Sequence, residues 1–171
     1  MRAARITFVV AGLATCLALA GCYGDLDWRE VASGEGRYRI TLPAKAQQTT
    51  RTLNSAAGAV SMTLQSARAA DWLFGVAYTD YPRGSDVQKN IDEQRDALLR
   101  NISGRITSEK TGAAGSRELL AEGRNGDAVL MLRARFVTEG TRLYQIAAVG
   151  ARGGVAETEL DTFFSSFKLQ N

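Results

Sequence analysis

The segment 117–133 reads RELLAEGRNGDAVLMLR, and the Asn125-Gly126 pair near its centre is the strongest local signal in the chain. Asn-Gly tolerates the positive φ angles of a type I′ turn, so it predicts a β-hairpin. A loop made of these two residues sets the register of the flanking strands. It pairs Leu119 with Leu132, Ala121 with Leu130, and Glu118 with Arg133. Because the apolar pairs share one face, the hairpin predicts an antiparallel sheet with that face turned to a core.

Further strands are predicted on both sides of this hairpin. Glu139-Gly140 is a second turn signal, which predicts that Phe136 lies opposite Leu143. Three earlier segments also have the composition of strands, and they are 37–42, which stops at Pro43, 60–65 and 71–79. Both faces of 71–79 are apolar, so we expect a central strand that is covered on both sides, with Trp72 in the core.

A first helix is predicted after Pro82. Ser85-Asp86-Val87-Gln88 has the pattern of a capping box, with Ser85 as the N-cap and Gln88 at the third helical position. The helix then carries an apolar stripe on one face, made of Val87, Ile91, Leu98 and Ile102. Gly104 follows its expected end.

A second helix is predicted near the end of the chain, after a glycine-rich loop at 150–154. Its apolar residues recur at helical spacing, at Leu160, Phe163, Phe164 and Phe167. We expect this stripe to dock on one face of the sheet while the first helix covers the other. In the alternative, the stripe is exposed and serves as a partner-binding surface.

The first 22 residues have the pattern of a bacterial export signal. Arg2 and Arg5 precede an apolar run over 6–20, and Leu19-Ala20-Gly21-Cys22 follows. This tetrapeptide resembles the lipobox of bacterial lipoproteins. The resemblance implies that residues 1–21 are cleaved, that Cys22 is the lipid attachment site, and that 22–27 is a short tether before a single domain at 28–171. Tyr23, in place of an aspartate, resembles the pattern sent to the outer membrane, on its periplasmic side.

Composition excludes several classes of function. The chain has no histidine, which Ser-His-Asp and Cys-His catalysis require and zinc hydrolases usually use. Its cysteines are Cys16, in the signal, and Cys22, so the domain has no thiol for a disulfide or a metal. Without Arg2 and Arg5 the chain carries 19 basic and 18 acidic residues, which gives no reason to expect a nucleic-acid partner.

Some polar residues have two interpretations. Glu157, Glu159 and Asp161 form either a carboxylate site or the favourable acidic start of a helix. Arg133 and Arg135, with Tyr144 on the neighbouring strand, form either an anion site or a structural set that pairs with Glu118 and stacks on Tyr144. In both cases we favour the second, structural interpretation. We expect no cofactor, because there is no phosphate loop, dinucleotide motif or metal-ligand cluster.

Several segments together resemble a group of bacterial envelope proteins with the Mog1/PsbP-like fold. They are RYRITLPA at 37–44, DYP at 80–82, the 117–124 strand, RLYQIAAVG at 142–150 and DTFFSSFKL at 161–169. The resemblance covers 28–169 and implies an α+β fold, an antiparallel sheet of about six strands with one helix on each face. It also implies a binding or assembly role rather than catalysis.

These observations predict a membrane-anchored periplasmic lipoprotein that acts as a binding or scaffold module of the cell envelope. Its expected partners are the membrane, through Cys22, and an envelope protein. The alternative is a carboxylate-dependent hydrolase that acts on envelope glycan, which needs two facing acidic side chains roughly 5 to 9.5 Å apart in a cleft.

Overall fold

A computed structural model of the chain describes residues 26–112 and 115–170. The predicted signal peptide, Cys22 and most of the tether lie outside the described residues. The elements in chain order are β1 (Arg29–Ser33), β2 (Tyr38–Leu42), β3 (Gln47–Ser55), β4 (Gly58–Ala69), β5 (Trp72–Asp80), α1 (Val87–Asn101), β6 (Arg105–Thr111), β7 (Arg117–Asn125), β8 (Ala128–Glu139), β9 (Arg142–Ala151), α2 (Glu157–Ser166) and β10 (Lys168–Leu169).

The predicted α+β class, with a large antiparallel sheet and two helices, is confirmed. The large sheet has seven strands rather than about six, in the order β3-β4-β5-β9-β8-β7-β6. A second sheet of three strands, β1-β2-β10, contains the predicted strand 37–42. The strands missed from the sequence are short or mostly polar, like β3 (QQTTRTLNS) and β6 (RITSEKT) at the two edges. Such strands lack the apolar alternation on which the prediction depended.

The two faces of the seven-stranded sheet pack against different layers. One face, called here the α2 face, packs against α2 and the three-stranded sheet, and its core includes Tyr38, Phe74, Tyr144 and Phe163. The other face, called the α1 face, packs against α1, with a core that includes Ile91. The helices therefore lie on opposite sides of the sheet, as the sequence predicted.

The register of the first predicted hairpin differs from the prediction by two residues. Its loop is Gly126-Asp127, with Asn125 paired to Ala128. Only Gly126 has a positive φ, 59°, whereas a type I′ turn needs positive φ at both loop residues. Glycine at the first loop position is typical of a type II′ turn, which explains the shift. The observed pairs are Leu119 with Ala134, Ala121 with Leu132, Gly123 with Leu130 and Glu118 with Arg135.

The second hairpin shows the same shift. Gly140, at φ 59°, begins the loop, and Phe136 lies opposite Gln145 rather than Leu143. A shift of two residues leaves every side chain on its predicted face, because side chains alternate with a period of two along a strand. The predicted division between core and outer positions in β7, β8 and β9 is therefore preserved.

The start of α1 differs from the predicted capping box. Asp86 is the N-cap, and its Oδ1 accepts a hydrogen bond from the Lys89 N–H at 3.1 Å. Ser85 instead donates its hydroxyl proton to the Pro82 carbonyl at 2.7 Å. Val87, predicted to be in the apolar stripe, is exposed, whereas the polar side chains of Asn90 and Gln94 are buried. The buried face of α1 is thus rotated relative to the prediction and is partly polar.

The predicted stripe of α2 is buried, which contradicts the alternative of an exposed partner surface. Leu160, Phe163 and Phe164 are each less than 5% exposed. Phe167 follows the end of α2 in an extended conformation, and its ring centroid lies 5.6 Å from that of Tyr144. Gly150, predicted to be in a loop, lies in β9 against the Trp72 ring, and Trp72 is a core residue as predicted.

Candidate functional site

Arg133 and Arg135 tie α2 to the sheet. Arg133 donates to Asp161 at 2.7 Å, and its guanidinium carbon lies 4.6 Å from the centroid of the Phe164 ring. Arg135 donates to Glu118 at 2.8 Å and to the Phe164 carbonyl at 2.9 Å. The structural interpretation is therefore favoured, with two corrections to the predicted contacts.

The corrections follow from the register and from the position of α2. Glu118 pairs with Arg135 instead of Arg133, because the hairpin loop is displaced by one residue. The aromatic partner is Phe164 instead of Tyr144, because α2 lies between the arginines and the solvent. Tyr144 is fully buried and donates its hydroxyl proton to the Gly36 carbonyl at 2.9 Å.

The three acidic residues at the start of α2 do not form a site. The Glu159 carboxylate accepts a hydrogen bond from the Ala156 N–H at 3.0 Å, and Asp161 pairs with Arg133. Glu157 lies in the first helical turn, where a negative charge interacts favourably with the helix dipole. Within residues 26–112 and 115–170, no three potential metal-ligating side chains are grouped.

The clearest candidate site is a groove between α1 and the seven-stranded sheet, which we call the α1 groove. The groove shows as a difference in burial between the two faces of β9. Tyr144, Ile146 and Ala148, on the α2 face, are fully buried, whereas Ala147 and Val149, on the α1 face, are only half-buried. Apolar side chains on a central strand are normally buried, so the partial exposure of Ala147 and Val149 shows that α1 does not fully cover this face of β9.

The α1 groove has two connected parts. The first encloses about 460 Å³, within the range typical of small-molecule sites. Its apolar lining consists of Leu64, Leu73, Leu98, Ile102, Leu130, Leu132, Ala147 and Val149. The second part encloses about 340 Å³ and is more polar. Both parts are lined by Arg51, Leu98, Asn101 and Gln145, so the groove passes from an apolar end to a polar one.

The course of α1 explains why the floor is left open. At the middle of the helix, the Gln94 amide donates to the hydroxyls of Thr79 and Tyr81, at 3.2 and 3.1 Å. At its end, the Ile102 carbonyl accepts from the Arg124 N–H at 2.9 Å, next to Gly123 on β7. A Cβ at Gly123 would lie only 2.1 Å from that carbonyl oxygen, so glycine is needed there. The helix end is thereby held over β7, away from β4 and β5.

Three arginines line the α1 groove without an ionic partner. Arg51, Arg68 and Arg100 make no ion pair with any carboxylate in the described part of the chain. Arg95 on α1 and Arg117 on β7, by contrast, are both paired with Asp92. The groove thus offers free guanidinium groups to a ligand.

The carboxylates of the polar part are already engaged. Glu93 accepts from the Ala56 N–H at 3.2 and 3.3 Å, and Asp96 is bonded to Arg95. Asp71 lies at the opposite, apolar end with Arg68. The arrangement can hold an apolar group and bind an anion. Glu93 and Asp96 both line the polar part.

The α1 groove was not predicted from the sequence. The segment 71–79 was expected to be covered on both faces, but Leu73 is only half-buried on the α1 face. The sequence signal was the polar character of the inner side of α1, at Asn90 and Gln94, which limits how closely the helix packs on the sheet.

No family model matches the chain, and no curated protein matches it. The resemblance to the Mog1/PsbP-like group therefore stays a prediction. Among the described residues, no helix combines the length and the apolar character needed to cross a membrane.

Proposed function

We propose that the protein is a membrane-anchored binding module of the bacterial cell envelope, held on the periplasmic side through lipid on Cys22, with the α1 groove as its binding site. The observation that carries the proposal is the open apolar floor beneath α1, about 460 Å³ in volume, in a domain whose other layers are packed. Binding, rather than catalysis, is the function that such a groove supports, and the absence of histidine from the chain is consistent with it.

Anchoring is tested by replacing the proposed lipid-bearing cysteine. Cys22→Ser should abolish lipidation, because a hydroxyl is a far poorer nucleophile than a thiolate near neutral pH. Metabolic labelling with a clickable fatty acid measures this directly, with Cys16→Ser as the matched control. Equal label on wild type and Cys22→Ser would refute the assignment, and fractionation of the labelled envelope would show which membrane holds the protein.

Binding in the groove is tested by filling it. Ala147→Trp places a large ring over the half-buried floor, while Leu120→Trp adds the same ring to an exposed position on the α2 face. Wild-type protein purified from envelope membranes should carry a bound molecule in native mass spectrometry. The Leu120→Trp variant should retain that molecule and the Ala147→Trp variant should lose it. Retention by both variants would show that the groove is not the site.

The hydrolase alternative stays a prediction. Glu93 and Asp96 would be its acidic pair, since both line the polar part of the groove. Their bonds to Ala56 and Arg95 leave them less available than a catalytic pair needs. Release of soluble fragments from purified envelope glycan by wild type, and its loss in Glu93→Gln, would favour this alternative over binding.

A further inference from the structure

We propose that the α1 groove binds a monomeric single-chain amphiphile with an anionic head group, its chain on the apolar floor and its head between Arg51 and Arg100. This inference rests on the proposed function, because it names the class of ligand for the same groove.

The polarity of the groove runs along its length. At one end the floor is made of leucine, alanine and valine side chains that α1 leaves half-buried, including Leu73, Leu130 and Val149. Arg51 and Asn101 line the junction of the two parts, and Arg100 lines the more polar part beyond it. A ligand that fills both parts must have an apolar body and a polar terminus, which is the definition of an amphiphile.

The free charges at the polar end select an anion. Arg51 makes only a weak contact, 3.8 Å from its Nη2 to the Met62 sulfur, and Arg100 makes no ion pair with a described carboxylate. Asp96 is paired with Arg95, and Glu93 accepts from the Ala56 N–H but keeps its negative charge, so two unpaired guanidinium groups face one unpaired carboxylate. Guanidinium groups bind carboxylates and phosphates with two parallel hydrogen bonds, so these anionic heads fit the site.

The far end of the groove does not compete for the head group. Arg68 and Asp71 both line that end, where they form no ion pair with each other but sum to no net charge. Arg51 lies on β3 opposite Met62 of β4, and Arg68 lies six residues further along β4. The backbones of Arg51 and Arg68 are therefore about 20 Å apart. One head group cannot bind both arginines, and the net positive charge lies in the polar part, where Arg51 and Arg100 face the single unpaired carboxylate of Glu93.

The point where the chain enters the fold favours a monomeric ligand over a bilayer surface. Trp28 packs on the α2 face, with its ring centroid 6.4 Å from that of Phe74. The α1 groove lies on the opposite face of the sheet. Six tether residues, 22–27, span at most about 21 Å, so a lipid on Cys22 would keep this entry point, on the opposite side of the sheet from the groove, within that distance of the membrane.

The test uses the chain from residue 23 onward, since the described contacts lie within 26–170, after its cooperative melting has been verified. The probe is myristate below its micellar concentration, titrated by calorimetry. Wild type should bind myristate, and the double variant Arg51→Gln, Arg100→Gln should have an affinity at least tenfold lower. The matched control, Arg39→Gln with Arg83→Gln, removes the same charge from exposed arginines outside the groove and should change affinity less than twofold. Tetradecanol, with the same chain and no charge, should bind at least tenfold more weakly than myristate.

Several outcomes would overturn the inference. The first is that the folded wild type does not bind myristate, and the second is that it binds tetradecanol as tightly as myristate. The third is that the control double variant loses as much affinity as the Arg51 and Arg100 double variant, and the fourth is that Ala147→Trp binds myristate as tightly as wild type. Each of these results would reject the amphiphile. Binding of anionic vesicles that depends on Arg51 and Arg100 would assign the surface to a membrane instead. If native mass spectrometry shows a groove-dependent ligand of another class, the proposed function stands and only the amphiphile is rejected; if no ligand depends on the groove, both fail.

Discussion

Ala70 and Asp71 form the two-residue loop between β4 and β5, and both have positive φ angles, 48° and 61°. This is the geometry of a type I′ turn, in which asparagine and glycine are favoured and alanine is strained. Ala70→Asn should therefore raise the free energy of unfolding by about 0.5 to 1 kcal/mol, as measured by urea denaturation. Ala56→Asn, in the β3–β4 loop where φ is not positive, should give no gain, and an equal gain there would contradict the strain argument.

Gly150 allows β9 to pass directly under the Trp72 ring. A Cβ at this position would lie about 2.3 Å from the indole, whose N–H donates to the Ala151 carbonyl at 3.0 Å. Gly150→Ala should therefore lower the free energy of unfolding by about 1 to 3 kcal/mol, because the core must shift to admit the methyl group. Gly34→Ala, which meets no atom within 4 Å, serves as the control in the same denaturation experiment. A neutral Gly150→Ala would show that Trp72 is free to move.

The helix α2 closes the α2 face of the sheet. Phe163 is fully buried, with its ring centroid 5.2 Å from that of Phe74. Phe163→Ala should lower the free energy of unfolding by about 3 to 5 kcal/mol, while Thr162→Ala, on the exposed side, should change it by less than about 0.5 kcal/mol.

Deletion of 157–171 should remove α2 and β10 together and expose this core, so that the protein aggregates. Light scattering and thermal melting of the truncated chain check this outcome. A soluble chain with a near-native cooperative melt would mean that α2 contributes little to the fold.

Stability of the whole domain should fall at alkaline pH. Burial raises the pKa of Tyr38, Tyr78, Tyr81 and Tyr144 above the usual value of about 10. Above about pH 10 the unfolded chain therefore releases phenol protons that the folded chain retains. Stability is full below that pH and falls as pH rises, by up to about 1.4 kcal/mol per pH unit for each tyrosine.

Urea denaturation across this alkaline range measures the effect. The dependence should be shallower in Tyr144→Phe, which has one buried phenol fewer. Stability that stays constant to about pH 12 would mean that these tyrosines ionise in the folded state as readily as in the unfolded chain.

The sequence by itself was sufficient to predict which face of β7, β8 and β9 turns to which side and that the two helices lie on opposite faces of the sheet. Strand alternation and helical spacing are local consequences of backbone geometry, so they can be counted along the chain. The stripe at Leu160, Phe163 and Phe164 and the alternation in 71–79 are examples, and both lead to core residues in the structure. Face assignments survived the register error because that error was an even number of residues.

Only the tertiary structure decided the rest. The loops at Gly126 and Gly140 depend on turn type, and the polar edge strands β3 and β6 exist because they complete the hydrogen bonding of their neighbours. The α1 groove arises because Gly123 lets the end of α1 lie over β7, while Gln94 ties the middle of the helix to Thr79 at the end of β5. An uncovered floor depends on where two distant elements are placed, and the polar residues on the inner side of α1 do not by themselves give that placement.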